Sequence, residues 1–287
     1  MPTPLRYPGG KQKMWKVLEA FVSENVGGNC HYVEPYAGGA GIAMELLERN
    51  VVSGVYLNDI NPHVHCFWNA VLKHSEELCE MVINTPITVE EWFHQKKVMR
   101  MLQTTDIEKG FAFLFLNRTS FSGIMNGGII GGRNQTGKYK IDARFSKDRI
   151  VAMIKEIAAY RDRIKLTCLD AKDFLGEVVK NVPSPFLYCD PPYYVKGRQL
   201  YMDYYKHGNH VEIAEVMHNL ENVPWIVTYD NVLEIREMYK GFRQFSFDLA
   251  YSARTRQVGK EVMICGHSTR VPECIFAQKD LFQEIVE

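Results

Sequence analysis

The stretch "VEPYAGGAG" at residues 33–41 joins an apolar strand pattern to a glycine-rich turn and the start of a helix rich in Ala and Leu. Gly38, Gly39 and Gly41 allow the main chain to come close to a ligand. In a doubly wound α/β fold, a turn of this kind after a strand forms part of a nucleotide site. The alternative is a turn that serves only the packing of the strand against the helix.

Asp59 favours the nucleotide site, because it ends the next predicted strand about 20 residues after Gly39, where such folds place a carboxylate that accepts from ribose hydroxyls. The turn holds no basic residue for a pyrophosphate, and the chain has no GxxxxGK[ST] motif. An adenosine ligand without phosphates, such as S-adenosylmethionine, therefore fits better than NAD or ATP. Glu34 suits its cationic methionine end.

The rest of the chain alternates short strand patterns with helical patterns, which predicts an α/β fold with a mostly parallel, doubly wound sheet. The last two strands are joined by a polar, Arg-rich stretch and could form an antiparallel hairpin at the edge of the sheet. The predicted strands are 31–35, 54–59, 164–169, 186–190, 225–230, 243–249 and 261–266.

The alternation stops between residues 62 and 144. This stretch begins with helical patterns and then becomes rich in Gly, Asn and basic residues, with nothing that resembles a βα unit. We therefore expect residues 62–144 to be an insertion between the second and third strands. Residues 1–61 and 145–287 would then form the main domain.

Composition sets limits but identifies no partner. The chain has 287 residues, 46% of them hydrophobic, and 34 basic residues against 34 acidic ones. The seven cysteines show no CxxC spacing, which favours free thiols in a reducing compartment over structural zinc. The first residues lack a signal-peptide core, and no apolar run reaches about 18 residues. We expect a cytoplasmic protein with no membrane contact.

A second glycine turn, "RYPGGK" at residues 6–11, stands before a predicted helix. It could be an ordinary entry turn. As part of a ligand site, Lys11 could meet the ligand carboxylate and Tyr7 could pack against the sulfonium as a cation–π partner.

The stretch "LYCDPPYY" at residues 187–194 ends a buried strand with an acid. Pro191 and Pro192 remove two N–H donors and stiffen the main chain, so nearby carbonyls remain available as acceptors. Asp190 and such a carbonyl could together accept the hydrogens of an exocyclic amine, and Tyr193 could stack on the base that carries it. The alternative is a strand-to-loop turn stiffened by proline.

These motifs carry a resemblance. "RYPGGK", "VEPYAGGAG", "NDINP" and "CDPPYY", in this order, resemble the Dam-like (D12 class) DNA adenine-N6 methyltransferases. The resemblance extends through "LFLNRTSFSG" (114–123), "IVTYDNVLEIREMY" (226–239) and "YSARTRQVGKEVMICG" (251–266) to nearly the whole chain. It implies a Rossmann-like S-adenosylmethionine-dependent methyltransferase fold, with a seven-stranded mixed sheet and a mainly helical target-recognition insertion at 62–144.

The resemblance also implies an activity and a set of roles. The chain would methylate the N6 amine of a flipped-out adenine in double-stranded DNA, forming S-adenosylhomocysteine and using no metal. Asp170 is a rival for the place given to Asp173. The implied catalytic residues are Asp190, Pro191, Pro192 and Tyr193, and the implied cofactor-binding residues are Tyr7, Lys11, Glu34, Gly38, Gly39, Asp59, Asp173 and Asp190.

DNA binding would fall on two basic segments, the insertion and the last hairpin. Phe121 matches the position of an aromatic that wedges into the DNA stack in the family. Asn126 stands where GATC-reading members carry a basic residue, so the resemblance does not extend to that target. No obligate protein partner is evident, and we expect a monomer in a bacterial cell or a phage-infected host. The implied DNA-binding residues are Arg118, Phe121, Asn126, Arg133, Lys138, Arg254 and Arg256.

Two other functions remain open at this point. One is methylation of a different amine, in RNA adenine or in a protein glutamine. Such an enzyme would not need a basic insertion between the second and third strands. The other is a DNA-binding relative that has lost catalysis, against which the intact Asp190-Pro191-Pro192-Tyr193 argues.

Overall fold

A computed structural model describes residues 1–6, 11–125, 127–195, 205–251, 257–277 and 282–285. Within these ranges a single mixed sheet contains eight strands. The strands are β1 (His31–Glu34), β2 (Gly54–Asn58), β3 (Ile164–Thr167), β4 (Pro185–Cys189), β5 (Trp225–Asp230), β6 (Arg243–Tyr251), β7 (Gln257–Cys265) and β8 (Phe282–Glu284).

Helices cover the sheet and build the segment between β2 and β3. None of those in the described ranges is both long and apolar enough to cross a membrane. They are α1 (Trp15–Asn25), α2 (Gly41–Glu48), α3 (Pro62–Lys73), α4 (Ser75–Asn84), α5 (Val89–Val98), α6 (Asp106–Thr119), α7 (Lys147–Ala158), α8 (Ala171–Asp173), α9 (His207–His218), α10 (Leu233–Met238) and α11 (Glu273–Ala277).

The strand order is β3-β2-β1-β4-β5-β7-β6-β8. The first five strands in chain order run parallel, and β7 lies antiparallel between β5 and β6. The predicted α/β fold with a final antiparallel hairpin is therefore confirmed. The sheet has eight strands where seven were expected, because β8 adds to β6 with Phe282 opposite Phe247. A three-residue strand carries too short a pattern to be recognised from sequence.

Side chains of the central strands alternate between two apolar layers, as the pleat of a strand requires. On β1, Tyr32 belongs to the larger cluster with Trp68 of α3, and Val33 belongs to the smaller cluster with Met217 of α9. Helices α3, α4 and α6 contribute to the larger cluster together with α1, α2 and α7. The predicted insertion at 62–144 thus shares a core with the flank of the sheet, and its role as a separate domain stays a prediction.

The connections run in opposite directions from the centre of the sheet, from β1 to β2 and β3 on one side and through β4 to β5 on the other. Ligands in open α/β sheets bind at such a switch point, just beyond the carboxyl ends of the strands. Glu34 ends β1 and Asp190 follows β4, so the topology brings these two acids to the same edge.

Candidate active site

The acid at the end of β1 is buried. Glu34 is almost fully inaccessible, and its Oε2 accepts no hydrogen bond within the described residues. Burial, followed by the negative charges of Asp190 and Asp59, raises the pKa of Glu34 well above its usual value. A buried carboxylate in this state stabilises the fold poorly but is suited to receiving a cation.

The glycine turn and Asp59 form one hydrogen-bonded unit. Gly38 has a positive φ of 45°, which glycine adopts without strain, and its N–H donates to Asp59 Oδ2 at 2.9 Å. Asp59 Oδ1 accepts from the N–H of Asn61 at 2.9 Å, and Trp68 Nε1 donates to the Gly38 carbonyl at 2.9 Å. The structure therefore brings together the turn, with Gly39 in it, and the acid that the sequence predicted as partners.

The ammonium group of Lys11 is buried at the centre of the site, and the side chain is fully inaccessible. It donates to Asp190 Oδ1 at 2.7 Å and to Thr228 Oγ1 at 2.9 Å, and it lies 2.9 Å from Glu261 Oε2. Burial alone would lower the pKa of Lys11, but Asp190 and Glu261 outweigh it and raise that pKa above its usual range. The Lys11 side chain is therefore positively charged in the site.

Thr228 and Glu261 were not predicted as site residues. Each is a polar side chain beside an apolar run, Thr228 after Trp225–Val227 in β5 and Glu261 before Val262–Cys265 in β7. That pattern indicates burial, and a buried acid needs a partner. It does not indicate which partner, because the pairing depends on β7 lying beside β5.

The predicted catalytic stretch lies against Lys11. Asp190 keeps 21% of its side chain exposed, and both of its hydrogen bonds within the described residues are to Oδ1. Pro191 and Tyr193 are buried and Pro192 is half-buried. The Lys11 ammonium lies 5.3 Å from the centre of the Tyr193 ring. Oδ2 of Asp190 is thus the oxygen left for a ligand.

The loop after this stretch is fixed by Asp230 at the end of β5. Its Oδ1 accepts from the N–H of Tyr194 at 2.8 Å, and its Oδ2 accepts from the N–H of Val195 at 3.0 Å. A carboxylate that holds two successive N–H groups sets the direction of the main chain. Sequence reasoning missed Asp230, although it ends a strand in the same way as Asp190.

The region predicted for the cofactor adenine contains both rival acids. Asp170 caps α8 by accepting from the N–H of Lys172 at 2.9 Å, and Asp173 is exposed on the same short helix. A pair of tyrosines that the sequence did not indicate stands nearby, with the hydroxyls of Tyr36 and Tyr205 3.1 Å apart. Both acids are exposed, and Asp170 differs from Asp173 in that one of its oxygens is already used as a helix cap.

Phe121 follows α6 in a narrow loop. Ser120 forms a bridge with Ile129, and the N–H of Phe121 donates to the Gly128 carbonyl at 3.0 Å. Trp92 of α5 supports this bridge, because its Nε1 donates to Ser120 Oγ at 3.1 Å. The Phe121 side chain is 45% exposed. An anchored loop therefore presents an aromatic ring at the surface.

Arg118 has a different environment from the one expected of a DNA-binding residue. It is half-buried, and it donates to the main-chain carbonyls of Pro4 at 2.5 Å and of Arg144 at 3.4 Å. Burial, followed by the charges of Arg6 and Arg149, lowers the pKa of Arg118 to about 10. Arg118 thus joins α6 to the main chain at Pro4 and at Arg144.

Arg133 and Lys138 are two of the exposed cations of the insertion. Each lies over an aromatic ring, Arg133 at 5.3 Å from Phe93 and Lys138 at 5.8 Å from Tyr139. Basic side chains next to rings suit the phosphates and bases of a nucleic acid. The remaining predicted site residues lie outside the described residues: Tyr7, Asn126, Arg254 and Arg256.

The donors and acceptors at this edge fit S-adenosylmethionine. The Glu34 carboxylate, whose Oε2 accepts no hydrogen bond from the described residues, suits a positive group, such as the sulfonium or the α-ammonium of the methionine end. Asp59 lies beside the glycine turn, where an adenosine ribose is expected. Lys11 is already engaged by three acceptors, so its predicted contact with the methionine carboxylate stays a prediction.

The chain is similar to several known proteins. The chain is 23% identical over 203 residues to the type II methyltransferase M.MjaIII of Methanocaldococcus jannaschii, covering 66% of this chain and 68% of that protein. The solved structures similar to this chain include a conserved hypothetical protein from Streptococcus pyogenes, at 10% identity and a TM-score of 0.32, with 84% of this chain and 89% of that one covered.

Another is SMU.472, a putative methyltransferase solved with S-adenosylhomocysteine, at 14% identity and a TM-score of 0.36. The match covers 85% of this chain and 49% of that one. The model of the D12 class N6 adenine-specific DNA methyltransferases matches residues 7–254, which include Lys11, Glu34, Asp59, Asp190 and Thr228 but not Glu261. The chain belongs to the D12 class of N6 adenine-specific DNA methyltransferases.

Proposed function

We propose that this protein transfers a methyl group from S-adenosylmethionine to the N6 amine of an adenine flipped out of double-stranded DNA at a specific sequence. The observation that carries the proposal is the environment of Asp190. Lys11 and Thr228 bind its Oδ1, while Oδ2 remains available at the end of a proline-stiffened strand. This geometry supports a carboxylate that accepts from an amine brought to the sheet edge.

The chemistry needs acceptors more than it needs a strong base. The lone pair of the adenine amine is delocalised into the ring, so the amine is a weak nucleophile. Asp190 Oδ2 and the Pro191 carbonyl would accept its two hydrogens and favour a pyramidal nitrogen whose lone pair can attack. The new N–C bond would form as the S–CH3 bond breaks, which leaves S-adenosylhomocysteine, and the methylated nitrogen would then give one proton to Asp190 Oδ2. Fixed acceptors lower the barrier by positioning and electrostatics, at no reorganisation cost during the reaction.

Glu34 and Asp59 would hold the methyl donor at the other half of the edge. S-adenosylmethionine supplies a methyl group activated by its positive sulfur. Glu34 would stabilise the cationic end of this ligand, and Asp59, kept in place by Gly38, would accept from its ribose. The low accessibility of Glu34 and Lys11 would exclude water from the space between the donor and the amine.

DNA would approach from the side of the loop after α6. An adenine inside a duplex has to leave the stack, at a cost of roughly a few kcal/mol. We propose that Phe121 fills the gap left by the base, and that Arg133 and Lys138 contact phosphates. The exposed ring of Phe121, the exposed cations and the family match support this assignment.

The experiment combines S-adenosylmethionine labelled in the methyl group with plasmid DNA, total RNA and a glutamine-containing peptide. We expect label in DNA only, as N6-methyladenine. Asp190→Ala should lower the rate by about 100-fold or more. Asp162→Ala, which removes an exposed acid away from the site, should transfer at the wild-type rate.

Sequencing of the methylated adenines would then give the target. Label in RNA or in the peptide, with none in DNA, would show that another amine is the substrate. No label in any acceptor, under conditions in which wild-type protein binds S-adenosylmethionine, would show a binding protein without catalysis. Either result would overturn the proposal.

A further inference from the structure

Glu261 is a buried acid that the mechanism above does not use. It lies on β7 with 1% of its surface exposed. On the neighbouring strands it stands opposite Asp230 of β5 and Phe247 of β6. Burying an ionisable side chain is costly unless the charge has a partner, so the presence of Glu261 next to Lys11 calls for a reason.

The ammonium of Lys11 has three hydrogens, and three acceptors surround it. Asp190 Oδ1 lies at 2.7 Å, Thr228 Oγ1 at 2.9 Å and Glu261 Oε2 at 2.9 Å. The acceptors belong to three different strands or strand ends. Lys11 donates hydrogen bonds to Asp190 and Thr228 and forms an ion pair with Glu261, so its side chain is held from three sides together with the Asp190 oxygen that it binds.

Charge gives Glu261 a second effect. Lys11 and Asp190 alone would form a neutral pair, in which the lysine cancels the attraction of Asp190 for an amine that becomes positive during methyl transfer. The Glu261 carboxylate adds a further negative charge, so that the three groups together carry one net negative charge. In a site with little water, a net charge of this sign stabilises a cation that forms beside it.

We propose that Glu261 is a positioning residue for methyl transfer: it holds Lys11 against Oδ1 of Asp190, and its charge keeps the cluster negative towards the reacting amine. This inference rests on the proposed function. Glu261 acts through Lys11 and does not itself touch the substrate.

The groups that face Glu261 determine its behaviour with pH. Lys11 and Asp190 lie in the cluster, Tyr193 contacts it from the catalytic loop, and Asp230 stands opposite on β5. Burial raises the pKa of Glu261 to about 7, although Lys11 acts in the opposite direction. The charge of the cluster therefore changes within the pH range in which enzymes are assayed.

The test compares wild-type protein with Glu261→Gln, which keeps the shape and removes the charge. Single-turnover methyl transfer to the plasmid is measured from pH 6 to pH 9 with both substrates saturating. We expect the variant to be slower by about 10- to 100-fold at pH 8, in the range found for residues that orient an active group. Its affinity for S-adenosylmethionine should be unchanged, so that the loss appears in the rate constant and not in KM.

The wild-type rate should rise as pH passes 7, and the rate of Glu261→Gln should lack this rise. Glu284→Gln is the matched control, because it removes an exposed carboxylate from β8 in the same sheet. It should match wild type in rate and pH profile. A wild-type rate and pH profile for Glu261→Gln would overturn the proposal.

A readout without substrate uses the melting temperature of the protein alone. Because the folded pKa of Glu261 is above the value of the unfolded chain, its contribution to stability falls as pH rises from about 4.5 to about 7. Glu261→Gln should lack that part of the fall. Identical pH dependence of melting in the two proteins would contradict the assigned environment, whether or not DNA is methylated.

Glu261→Asp separates positioning from charge, because it keeps the charge and shortens the reach to Lys11. We expect a reduced rate with the rise near pH 7 retained. If Glu261→Gln does not fold, Glu261→Asp provides the test. A wild-type rate for Glu261→Asp, or a rate that does not rise near pH 7, would overturn the proposal. If wild-type protein methylates no adenine, the proposed function fails, and the melting experiment still tests the cluster.

Discussion

The side-chain amide of Asn117 makes two hydrogen bonds with the main chain of Arg6. Its Oδ1 accepts from the Arg6 N–H at 2.7 Å, and its Nδ2 donates to the Arg6 carbonyl at 2.8 Å and to the Gly123 carbonyl at 3.0 Å. Asn117 lies buried in the last turn of α6. One amide thus joins the segment that leads to Lys11 with the loop that presents Phe121.

Replacing Asn117 by Ala should destabilise the protein. The change would leave the N–H and carbonyl of Arg6 without this partner, at a cost of about 1–3 kcal/mol in the free energy of unfolding. Urea denaturation measures it. Asn219→Ala is the control, because Asn219 is exposed and bonds only within its own helix end. Equal losses in the two variants would contradict a special role for the Asn117 amide.

Gly123→Ala tests the same junction from the other side. Gly123 has a φ of +77°, and an added Cβ would lie 2.3 Å from the Arg6 carbonyl oxygen. We expect a loss of more than about 1 kcal/mol in unfolding free energy, from backbone strain and from displacement of Arg6. Gly128→Ala in the same loop has no atom within 4 Å of its Cβ and should cost much less. Thermal unfolding of both variants measures these losses, and equal losses would contradict the close contact between Gly123 and Arg6.

Glu34→Gln should have opposite effects on stability and on ligand binding. A buried carboxylate is costly when one oxygen accepts no hydrogen bond, as Oε2 does among the described residues, so the amide should raise the unfolding free energy of the ligand-free protein by about 1 kcal/mol or more above neutral pH. The same change should weaken binding of S-adenosylmethionine, because it removes the charge that faces the cationic end. Calorimetric titration and thermal melting measure the two effects.

The stabilisation expected from Glu34→Gln should change with pH in a definite direction. Burial, then Asp190 and Asp59, hold the pKa of Glu34 above its unfolded value, so the wild type loses stability as pH rises from the ordinary glutamate pKa towards the raised one. The advantage of Glu34→Gln should therefore grow with pH over that range. Glu215→Gln, at an exposed position on α9, should show neither effect. A stabilised variant with unchanged ligand affinity would contradict the role assigned to Glu34.

Phe121→Ala should affect DNA and spare the fold. Its ring is 45% exposed, so its removal should change the unfolding free energy by no more than about 0.5 kcal/mol. We expect weaker base flipping, measured as a smaller fluorescence rise of 2-aminopurine placed at the target adenine of a duplex. Leu102→Ala, at a side chain that is 96% exposed, is the control and should flip as the wild type does. Full fluorescence with Phe121→Ala would rule out the wedge.

The sequence predicted those parts of the site that follow from local order along the chain. An apolar run that ends in an acid predicts a strand with that acid at its carboxyl end, and Glu34, Asp59 and Asp190 all lie as expected. The glycine turn could be paired with Asp59 because the distance between them is fixed by one βαβ unit. The α/β fold followed from the alternation of the same patterns.

Contacts between distant strands were beyond such reasoning. Thr228 and Glu261 appear in the sequence only as polar residues in apolar strands, and their meeting at Lys11 requires β7 to lie antiparallel beside β5. Arg118 was expected on the DNA surface because its charge is visible in the sequence. Its use as a donor to the Pro4 carbonyl depends on how the first residues fold back, which no local pattern encodes.

The three acceptors around Lys11 also determine when this part of the site can form during synthesis and folding. Lys11 is synthesised before the residues that it binds: Asp190 comes 179 positions later and Thr228 comes 217 positions later. Glu261 comes later still, on β7. Contacts over such separations form late, because long loops must close first. An unfinished chain can therefore display the glycine turn and even Asp190, but its lysine stays without the full set of partners. The centre of the site is thus assembled only after β7 has been synthesised and has packed beside β5.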